Sequence, residues 1–346
     1  MPIPELSERE RRVLEAVIQS YVETAQPAGS NAIARRFGLG VSSATIRNTM
    51  SDLEEKGLLY HPHTSAGRVP TDVAYRVYVD SLLPLPSKPL REHDTLSAQI
   101  VGGGSAIDSI LRRAALSLGV ITQELGVALG PRLDNSILER VDLVRLSSER
   151  LLVALTLAGG AVRTIFVEAR GEIADSAIAD VTRVLNQRIA GLTLLQVRQS
   201  VGDRLRDTGP TRESAELLNI FVEEGEQLFD TALQGDDTVL LGQPSLLAEQ
   251  PEFNTVDSMR KLVALTETHE HLADLLRKRS ESPGITISIG NEHLDPKFET
   301  FTIVTAQYRS GGVTGVIGVI GPTRMPYDKV ISLVTHTSRL ITDLLD

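Results

Sequence analysis

The fold of the N-terminal part is decided by residues 38–57, whose sequence is GLGVSSATIRNTMSDLEEKG. A Gly-Leu-Gly turn is followed by Ser42 and Ser43, either of which can cap a helix. The apolar residues recur at the spacing of one helical face, so we expect Ile46, Met50 and Leu53 to face a core. Gly57 stands where a left-handed residue commonly ends a helix. The stretch therefore predicts a helix that runs to Lys56.

Two shorter signals on the N-terminal side predict two further helices. Ser7 and Glu10 have the Ser-x-x-Glu spacing of a capping box, and an apolar stripe typical of a helix follows them. Pro27 and Gly29 end that stripe, and Ser30 is the predicted cap of a short second helix. A short helix, a tight turn and a longer helix together predict a helix-turn-helix.

The exposed face of the third helix is polar and rich in hydrogen-bonding side chains. In duplex DNA, arginine pairs with guanine and asparagine with adenine in the major groove, where the N-terminal half of a recognition helix lies. We therefore expect Arg47 and Asn48 to contact bases, and Ser42, Ser43 and Thr45 to position the helix. The alternative is a solvated surface helix, and residues 38–57 alone do not decide between the two.

The residues after this helix favour DNA binding. A strand at 58–60, a small-residue turn and a returning strand within HPHTSAGRVP (residues 61–70) predict a β-wing, with Arg68 near its tip. His61 and His63 are interpreted as wing residues and not as metal ligands, because no acidic or thiol partner stands nearby in the sequence. Thr71 is the predicted cap of a last helix, 72–83. The predicted DNA contacts are Ser42, Ser43, Thr45, Arg47, Asn48, Ser51, His63, Ser65 and Arg68.

A proline-rich segment, PLPSKP (residues 84–89), predicts the first domain boundary because it cannot continue a helix. Beyond it, periodicity predicts helices at 106–125, 173–189, 214–233, 255–279 and 325–345. It predicts strands within 137–146 and 151–167, joined at 147–149 and 158–160, and at 285–289, 301–308 and 313–320. A short hairpin is predicted near 238–247. This order favours one α+β domain, split in sequence, that carries a helical insertion.

Two longer strings carry a resemblance to a known family. Residues 38–57, joined to HTSAGRVPTDVAYRVYVD at 63–80, closely resemble the HrcA family of heat-inducible transcription repressors. The resemblance extends more weakly through 186–193 and 315–322.

The resemblance implies an α+β multidomain fold with a winged helix-turn-helix, a GAF-like domain and an inserted, mainly helical dimerisation domain. The corresponding boundaries are 1–83 for the DNA-binding domain, 84–104 for a linker, 105–170 with 283–346 for the GAF-like domain, and 171–282 for the insertion. It also implies a homodimer that represses chaperone operons at an inverted-repeat operator and is modulated by the GroEL-type chaperonin. The apolar faces of 173–189, 214–233 or 255–279 are the predicted dimerisation surfaces.

Composition restricts the function classes further. The chain of 346 residues has no cysteine, which excludes disulfides, iron–sulfur clusters and Cys-ligated zinc. The net charge of −10 is distributed unevenly: residues 1–83 hold 9 Lys and Arg against 10 Asp and Glu. A nearly neutral module on an acidic body is compatible with binding a specific duplex. No membrane span or leader is predicted, so a cytoplasmic protein is expected.

Two other classes of function are alternatives. One is a winged-helix regulator that is controlled by a small-molecule effector in the GAF-like domain, although no convergent polar cluster stands out in the sequence. The other is an enzyme, which we do not expect because the glycines of residues 311–318 do not open a helix and no catalytic constellation is apparent. No catalytic residue, metal or cofactor is predicted.

Overall fold

The structure is a computed structural model, and it describes residues 4–63, 67–84, 90–102, 107–131, 133–158, 160, 162–169, 173–206, 214–233, 239–267, 269–310 and 313–345. The described part of residues 4–83 is called the N-terminal module, and the described part of residues 90–345 is called the body. The module contains, in chain order, α1 (Glu8–Thr24), α2 (Ser30–Phe37), α3 (Ser43–Glu55), β1 (Leu59–Tyr60), β2 (Val69–Pro70) and α4 (Asp72–Leu82).

The helices of the module start close to the residues that their caps predict. The capping box at α1 is confirmed, because Ser7 N donates to the Glu10 carboxylate at 2.8 Å and Glu10 N donates to Ser7 Oγ at 3.3 Å. Thr71 caps α4 as predicted. The predicted cap at Ser30 is wrong by one residue. Gly29 is the N-cap of α2, where its extended backbone suffices without a side-chain hydrogen bond.

The predicted inward face of α3 is confirmed. Ile46, Met50 and Leu53 are buried, at 3% exposure or less, and belong to one hydrophobic cluster with residues of α1 and α4. That cluster continues into the body through Tyr327 and the residues that follow it. The module therefore shares a continuous apolar core with the body.

The body contains an antiparallel sheet that has five strands among the described residues, in the order β7-β3-β10-β9-β8. Its strands are β3 (Leu125–Leu129), β7 (Val239–Leu241), β8 (Ile285–Ile289), β9 (Phe301–Ser310) and β10 (Val313–Pro322). One face packs against α5 (Arg91–Val101), α6 (Ile107–Thr122) and α14 (Tyr327–Leu345). The other face packs against α12 (Val256–Glu267) and α13 (His269–Ser280). This sheet is therefore covered on both sides.

A second sheet has three strands among the described residues and a core of its own. Its antiparallel strands lie in the order β4 (Leu138–Arg145), β5 (Arg150–Leu157) and β6 (Val162–Glu168). One face packs against the four helices that follow, which are α7 (Asp175–Ile189), α8 (Leu194–Arg206), α9 (Ala215–Glu223) and α10 (Gly225–Leu233). These four helices and three strands form one unit.

This division of strands differs from the grouping that the predicted boundaries imply. The boundaries 105–170 with 283–346 would place β4–β6 together with β8–β10, whereas the structure keeps them in separate sheets with separate cores. Conversely, β7, α12 and α13 lie within the predicted insertion 171–282 but pack in or on the five-stranded sheet. Whether the predicted domain boundaries delimit parts of the chain that fold independently stays a prediction.

Three local differences have identifiable causes. The predicted helix 214–233 is divided into α9 and α10 at Glu224, whose backbone is not helical (φ −110°, ψ 1°), and an added Cβ at the next residue, Gly225, would lie 2.7 Å from Val201 Cγ1 on α8. The predicted hairpin at 238–247 is wrong, because β7 pairs with β3 and a helical turn, α11 (Ser245–Ala248), follows it. Helix α5 lies within the predicted linker 84–104, and its Leu96 and Ile100 are fully buried.

In the part of the chain that the structure describes, no helix is both long and apolar enough to cross a membrane.

Candidate nucleic-acid interface

The first turn of α3 is ordered by its own side chains. Ser42 is the N-cap, and its Oγ accepts a hydrogen bond from Thr45 N at 3.1 Å and lies 2.9 Å from Thr45 Oγ1. Ser42 is exposed, and Ser43 and Thr45 are half-buried. The helix therefore presents a capped N-terminus at the surface, where the helix dipole favours an anion.

Arg47 and Asn48 lie on the exposed side of the second turn of α3. Neither side chain forms a hydrogen bond or ion pair with any residue that the structure describes. Ser51, one turn later, is half-buried and donates its hydroxyl to the Arg47 carbonyl at 3.3 Å. The two long polar side chains are thus free to contact a ligand, while the opposite side of the same turns is anchored in the core.

The turn before α3 depends on two glycines. Gly38, the C-cap of α2, has φ +54°, and Gly40 has φ +73°. Both values lie in the left-handed region that side chains with a Cβ adopt at a cost. This turn sets the direction in which α3 leaves α2.

The predicted wing is a two-stranded antiparallel hairpin of β1 and β2. Tyr60 pairs with Val69 in the hairpin, and an isolated bridge joins Arg68 to Ala28, with N···O distances of 2.8 and 2.9 Å. Gly67 permits this approach, because an added Cβ would lie 2.4 Å from the Ala28 carbonyl oxygen. Arg68 therefore joins the hairpin by backbone hydrogen bonds to the segment between α1 and α2.

Arg68 lies on the loop side of the β1–β2 ladder, one residue beyond the Tyr60–Val69 pair. Residues 64–66 lie outside the described ones, so the position of Arg68 relative to the tip stays a prediction. The bridge to Ala28 draws it back against the module, and its side chain is 13% exposed. Arg68 Nη2 donates to Glu54 Oε2 at 2.7 Å, and the other oxygen of Glu54 lies 2.9 Å from His61 Nδ1. One carboxylate near the end of α3 thus holds both strands of the wing.

Of the two remaining predicted wing contacts, the structure describes one. His63 is exposed, as a wing residue that reaches a ligand must be. Ser65 lies outside the described residues. Glu54 was not among the predicted site residues, because its pairing with Arg68, 14 positions away, depends on the hairpin and leaves no spacing signal in the sequence.

The C-terminal end of α3 is held by a separate ion pair. Lys56 Nζ lies 2.7 Å from Glu10 Oε1 and donates to the Glu5 carbonyl at 3.0 Å. The hydrogen bond from Lys56, together with the backbone hydrogen bond from Ser7, lowers the pKa of Glu10 to about 2. Helix α3 is consequently fixed to α1 at the end opposite its exposed N-terminus.

The described residues contain no group of three or more histidine, aspartate or glutamate side chains that could hold a metal ion. Two stacked histidines, His93 and His336, have ring centroids 4.2 Å apart and hydrogen-bond to serines, an arrangement that joins α5 to α14.

Comparisons with known proteins extend these observations. The model of the family described as "HrcA protein C terminal domain" matches residues 108–331. The "Heat-inducible transcription repressor HrcA" of Chlorobium phaeobacteroides strain BS1 is 41% identical, with 97% of each chain covered. The protein of the same name from Geobacter sulfurreducens is 36% identical, with 99% of each chain covered.

A solved structure shows the same fold. A crystal structure described as that of a hypothetical protein has a TM-score of 0.68 to this chain and 23% sequence identity, and the match covers 98% of this chain and 100% of the other. The resemblance found in residues 38–57 and 63–80 is confirmed by the relatives, which match along the full chain. The chain belongs to the HrcA family, and the relatives named above are heat-inducible transcription repressors.

Proposed function

We propose that this protein represses heat-shock (chaperone) operons by binding an inverted-repeat operator as a homodimer, with α3 in the major groove. The observation that carries the proposal is the exposure of Arg47 and Asn48 on the first turns of α3, without any partner among the described residues. Arginine can bond both acceptors of guanine, and asparagine can bond the donor and acceptor of adenine. These two side chains supply the base contacts.

The surrounding residues position the helix. The capped N-terminus at Ser42 offers backbone N–H groups to a phosphate, and Ser43, Thr45 and Ser51 add hydroxyl groups on its flank. Backbone contacts of this kind fix the register of the helix on the duplex and leave sequence discrimination to the base contacts.

The wing contributes contacts to the DNA backbone or the minor groove. His63, Ser65 and Arg68 are the proposed residues. Arg68 reaches a phosphate by exchanging its present partner, Glu54, for a phosphate oxygen. Its contribution is therefore smaller than that of an unpaired arginine, because the exchange breaks one ion pair to form another.

The dimer is supported by an apolar surface that the chain leaves open. The faces of 173–189, 214–233 and 255–279 that the sequence offers for dimerisation supply Leu185, Phe221 and Leu276, all of which are buried in the cores of the chain itself. The outer face of β4–β6 remains. Val144, Leu152 and Phe166 lie in one row across it, and Phe166 is 61% exposed. A second copy of this chain covers that face in the proposed dimer.

We also propose that the GroEL-type chaperonin modulates this activity. The support for this part is membership of the HrcA family. The measurement is operator binding by the full chain, with and without chaperonin and ATP. Chaperonin and ATP are expected to raise the fraction of protein that binds. An unchanged fraction would remove the chaperonin from the proposal without affecting the DNA interface.

The direct test of the interface is Arg47→Ala. We expect a loss of about 1–3 kcal/mol in binding to the inverted repeat that the parent selects from a randomised duplex pool, with relaxed preference at one base pair per half-site. Fluorescence anisotropy across salt concentrations measures both effects. Arg206→Ala, at a 67% exposed position on α8, is the matched control and leaves binding unchanged. Equal binding by parent and Arg47→Ala, with the same sequence preference, contradicts the proposed role of α3.

A further inference from the structure

The N-terminal module is attached to the body by a first clamp on α4. Arg76 Nε donates to Glu292 Oε1 at 2.7 Å, and Arg76 Nη2 donates to the Ile287 carbonyl at 2.8 Å and to the second oxygen of Glu292. Beside it, Asp72 accepts hydrogen bonds from the backbone N and the side-chain Nδ2 of Asn291 at 3.1 and 2.9 Å. The first clamp therefore fixes α4 to the edge strand β8 and the turn that follows it.

A second clamp lies at the other end of the module's contact with the body. Arg324, 14% exposed, is oriented by Glu252, whose Oε2 accepts from Arg324 Nη2 at 3.0 Å. The same guanidinium donates through Nη1 to the Val22 carbonyl at 2.7 Å, near the C-terminal end of α1. The body thus holds α1 as well as α4.

Between the two clamps the contact is apolar. The rings of Tyr75 on α4 and Tyr327 on α14 have centroids 5.7 Å apart, and both residues are almost fully buried. A single ionic contact would allow the module to pivot about it. Two contacts on different helices, with a buried pair of rings between them, do not.

The fixed orientation reaches the DNA-contacting helix through α1. Lys56 at the end of α3 pairs with Glu10 at the start of α1, and Arg324 holds the opposite end of α1 at Val22. The direction of α3 relative to the body is therefore set by the clamps.

We infer that Arg76 and Arg324 are specificity-determining residues that restrict this repressor to operators of one half-site spacing. The inference rests on the proposed function, because it needs two modules on one inverted repeat. The two clamps fix each module to the part of the body around the five-stranded sheet. In the inferred dimer, two modules fixed in this way hold their α3 helices at one separation and one relative angle.

DNA geometry makes such rigidity selective. B-form DNA completes a turn in about 10–10.5 base pairs and 34–36 Å, so two added base pairs turn one half-site by about 70° and shift it by about 7 Å. Rigid modules cannot follow this rotation, whereas modules on a flexible connection can follow it at a small cost.

The test compares the parent with the double variant Arg76→Gln, Arg324→Gln on the inverted repeat that the parent selects from a random pool. The duplexes carry spacers shortened or lengthened by one and two base pairs. We expect the parent to lose at least about 30-fold in affinity at two base pairs from its optimum, whereas the variant loses less than about fivefold. A duplex with a single half-site, bound equally by both proteins, serves as the reference for intact base contacts.

Two further proteins complete the design. Glu252→Gln with Glu292→Gln weakens both clamps from the body and leaves the sequence of the N-terminal module unchanged, so it replaces the arginine variant if that variant unfolds. Asp203→Asn removes a surface ion pair on α8 whose side chains are 67% and 78% exposed, and it keeps the parent's spacing profile.

Each outcome decides the inference. A broadened spacing profile with unchanged half-site affinity supports it. A profile as sharp as the parent's, or a folded variant that loses affinity at every spacing alike, overturns it. If the parent itself selects no inverted repeat, the proposed function fails first, and the two failures are thereby distinguished.

Discussion

The two sheets of the body differ in how many of their faces are covered. In β10, at the centre of the five-stranded sheet, every residue from Gly315 to Pro322 is buried. In β6, at an edge of the three-stranded sheet, Ile165 and Val167 are buried, whereas Thr164, Phe166 and Glu168 are exposed. Continuous burial indicates layers on both sides of a sheet, and alternation indicates a layer on one side only.

This difference shows which sheet of the body is covered on both faces by the chain itself and which sheet has one uncovered face. The five-stranded sheet has helices of the same chain on both faces. The outer face of the three-stranded sheet exposes apolar side chains instead, with the ion pairs Arg140–Asp142 and Arg150–Glu168 around them. An apolar centre with a charged rim is the usual composition of a protein–protein interface.

The largest expected effect comes from breaking the complete sheet. Ile317→Ala, at a fully buried position of β10, is expected to lower the free energy of unfolding by about 2–5 kcal/mol, because it removes apolar contacts and leaves a cavity. Urea denaturation at several protein concentrations measures the loss, which should not depend on concentration. Phe166→Ala is the comparison, and its loss should shrink on dilution as the dimer dissociates.

A charge on the open face tests its role more directly. Phe166→Glu is expected to weaken the proposed dimer by at least about 100-fold, or about 2.7 kcal/mol, because a desolvated carboxylate would face its own copy across the interface. Analytical ultracentrifugation measures the dissociation constant. Val120→Glu, at a 44% exposed apolar position on α6, is the matched control. A dimer that tolerates Phe166→Glu but not Val120→Glu would place the interface elsewhere.

A smaller effect on stability is expected from a buried acid next to the five-stranded sheet than from the two changes above, and it should depend on pH. Glu124, beside β3, is 2% exposed, and burial raises its pKa well above the usual value. A raised pKa means that folding favours the protonated acid, so its contribution is complete below the unfolded pKa of about 4.5 and is lost as the pH rises towards the folded value. Glu124→Gln is therefore expected to unfold at higher temperature than the parent at pH 8 and to lose that advantage near pH 4.

The sign of the effect follows from the direction of the pKa shift, because the variant removes a buried group that resists ionisation at pH 8. Calorimetry across this pH range is the measurement. Glu168→Gln, an exposed acid of the other sheet, should change stability by less than about 0.5 kcal/mol at either pH. A Glu124 variant that is less stable than the parent at pH 8 would show that the carboxylate is charged and needed.

The comparison also shows which features a sequence can predict. The capping box at Ser7, the N-cap at Thr71 and the inward face of α3 depend on residues within one or two turns, so their signals are local. The alternation along β4–β6 is local in the same way. For these elements the predicted structure agrees with the observed one.

Features that depend on distant partners could not be predicted. The sequences of β3 and β4 do not indicate which other strands they pair with. The division of the strands into two sheets could therefore not be predicted. Helix α5 has only Leu96 and Ile100 fully buried, and it is stabilised by α6 and α14, which the local sequence does not reveal. The bridge from Arg68 to Ala28, 40 residues earlier, has no local signal either.

The ion pair between Glu54 and Arg68 has a consequence for how the protein searches a genome. Arginines on a DNA-binding surface usually bind any duplex by releasing its condensed counterions, and this attraction is independent of sequence. Arg68 already pairs with Glu54 inside the protein. Replacing Glu54 by a phosphate of unrelated DNA therefore adds little binding free energy. If Arg68 contacts DNA as proposed, we expect this ion pair to shorten residence on unrelated DNA and to leave binding dependent on the base contacts at the operator.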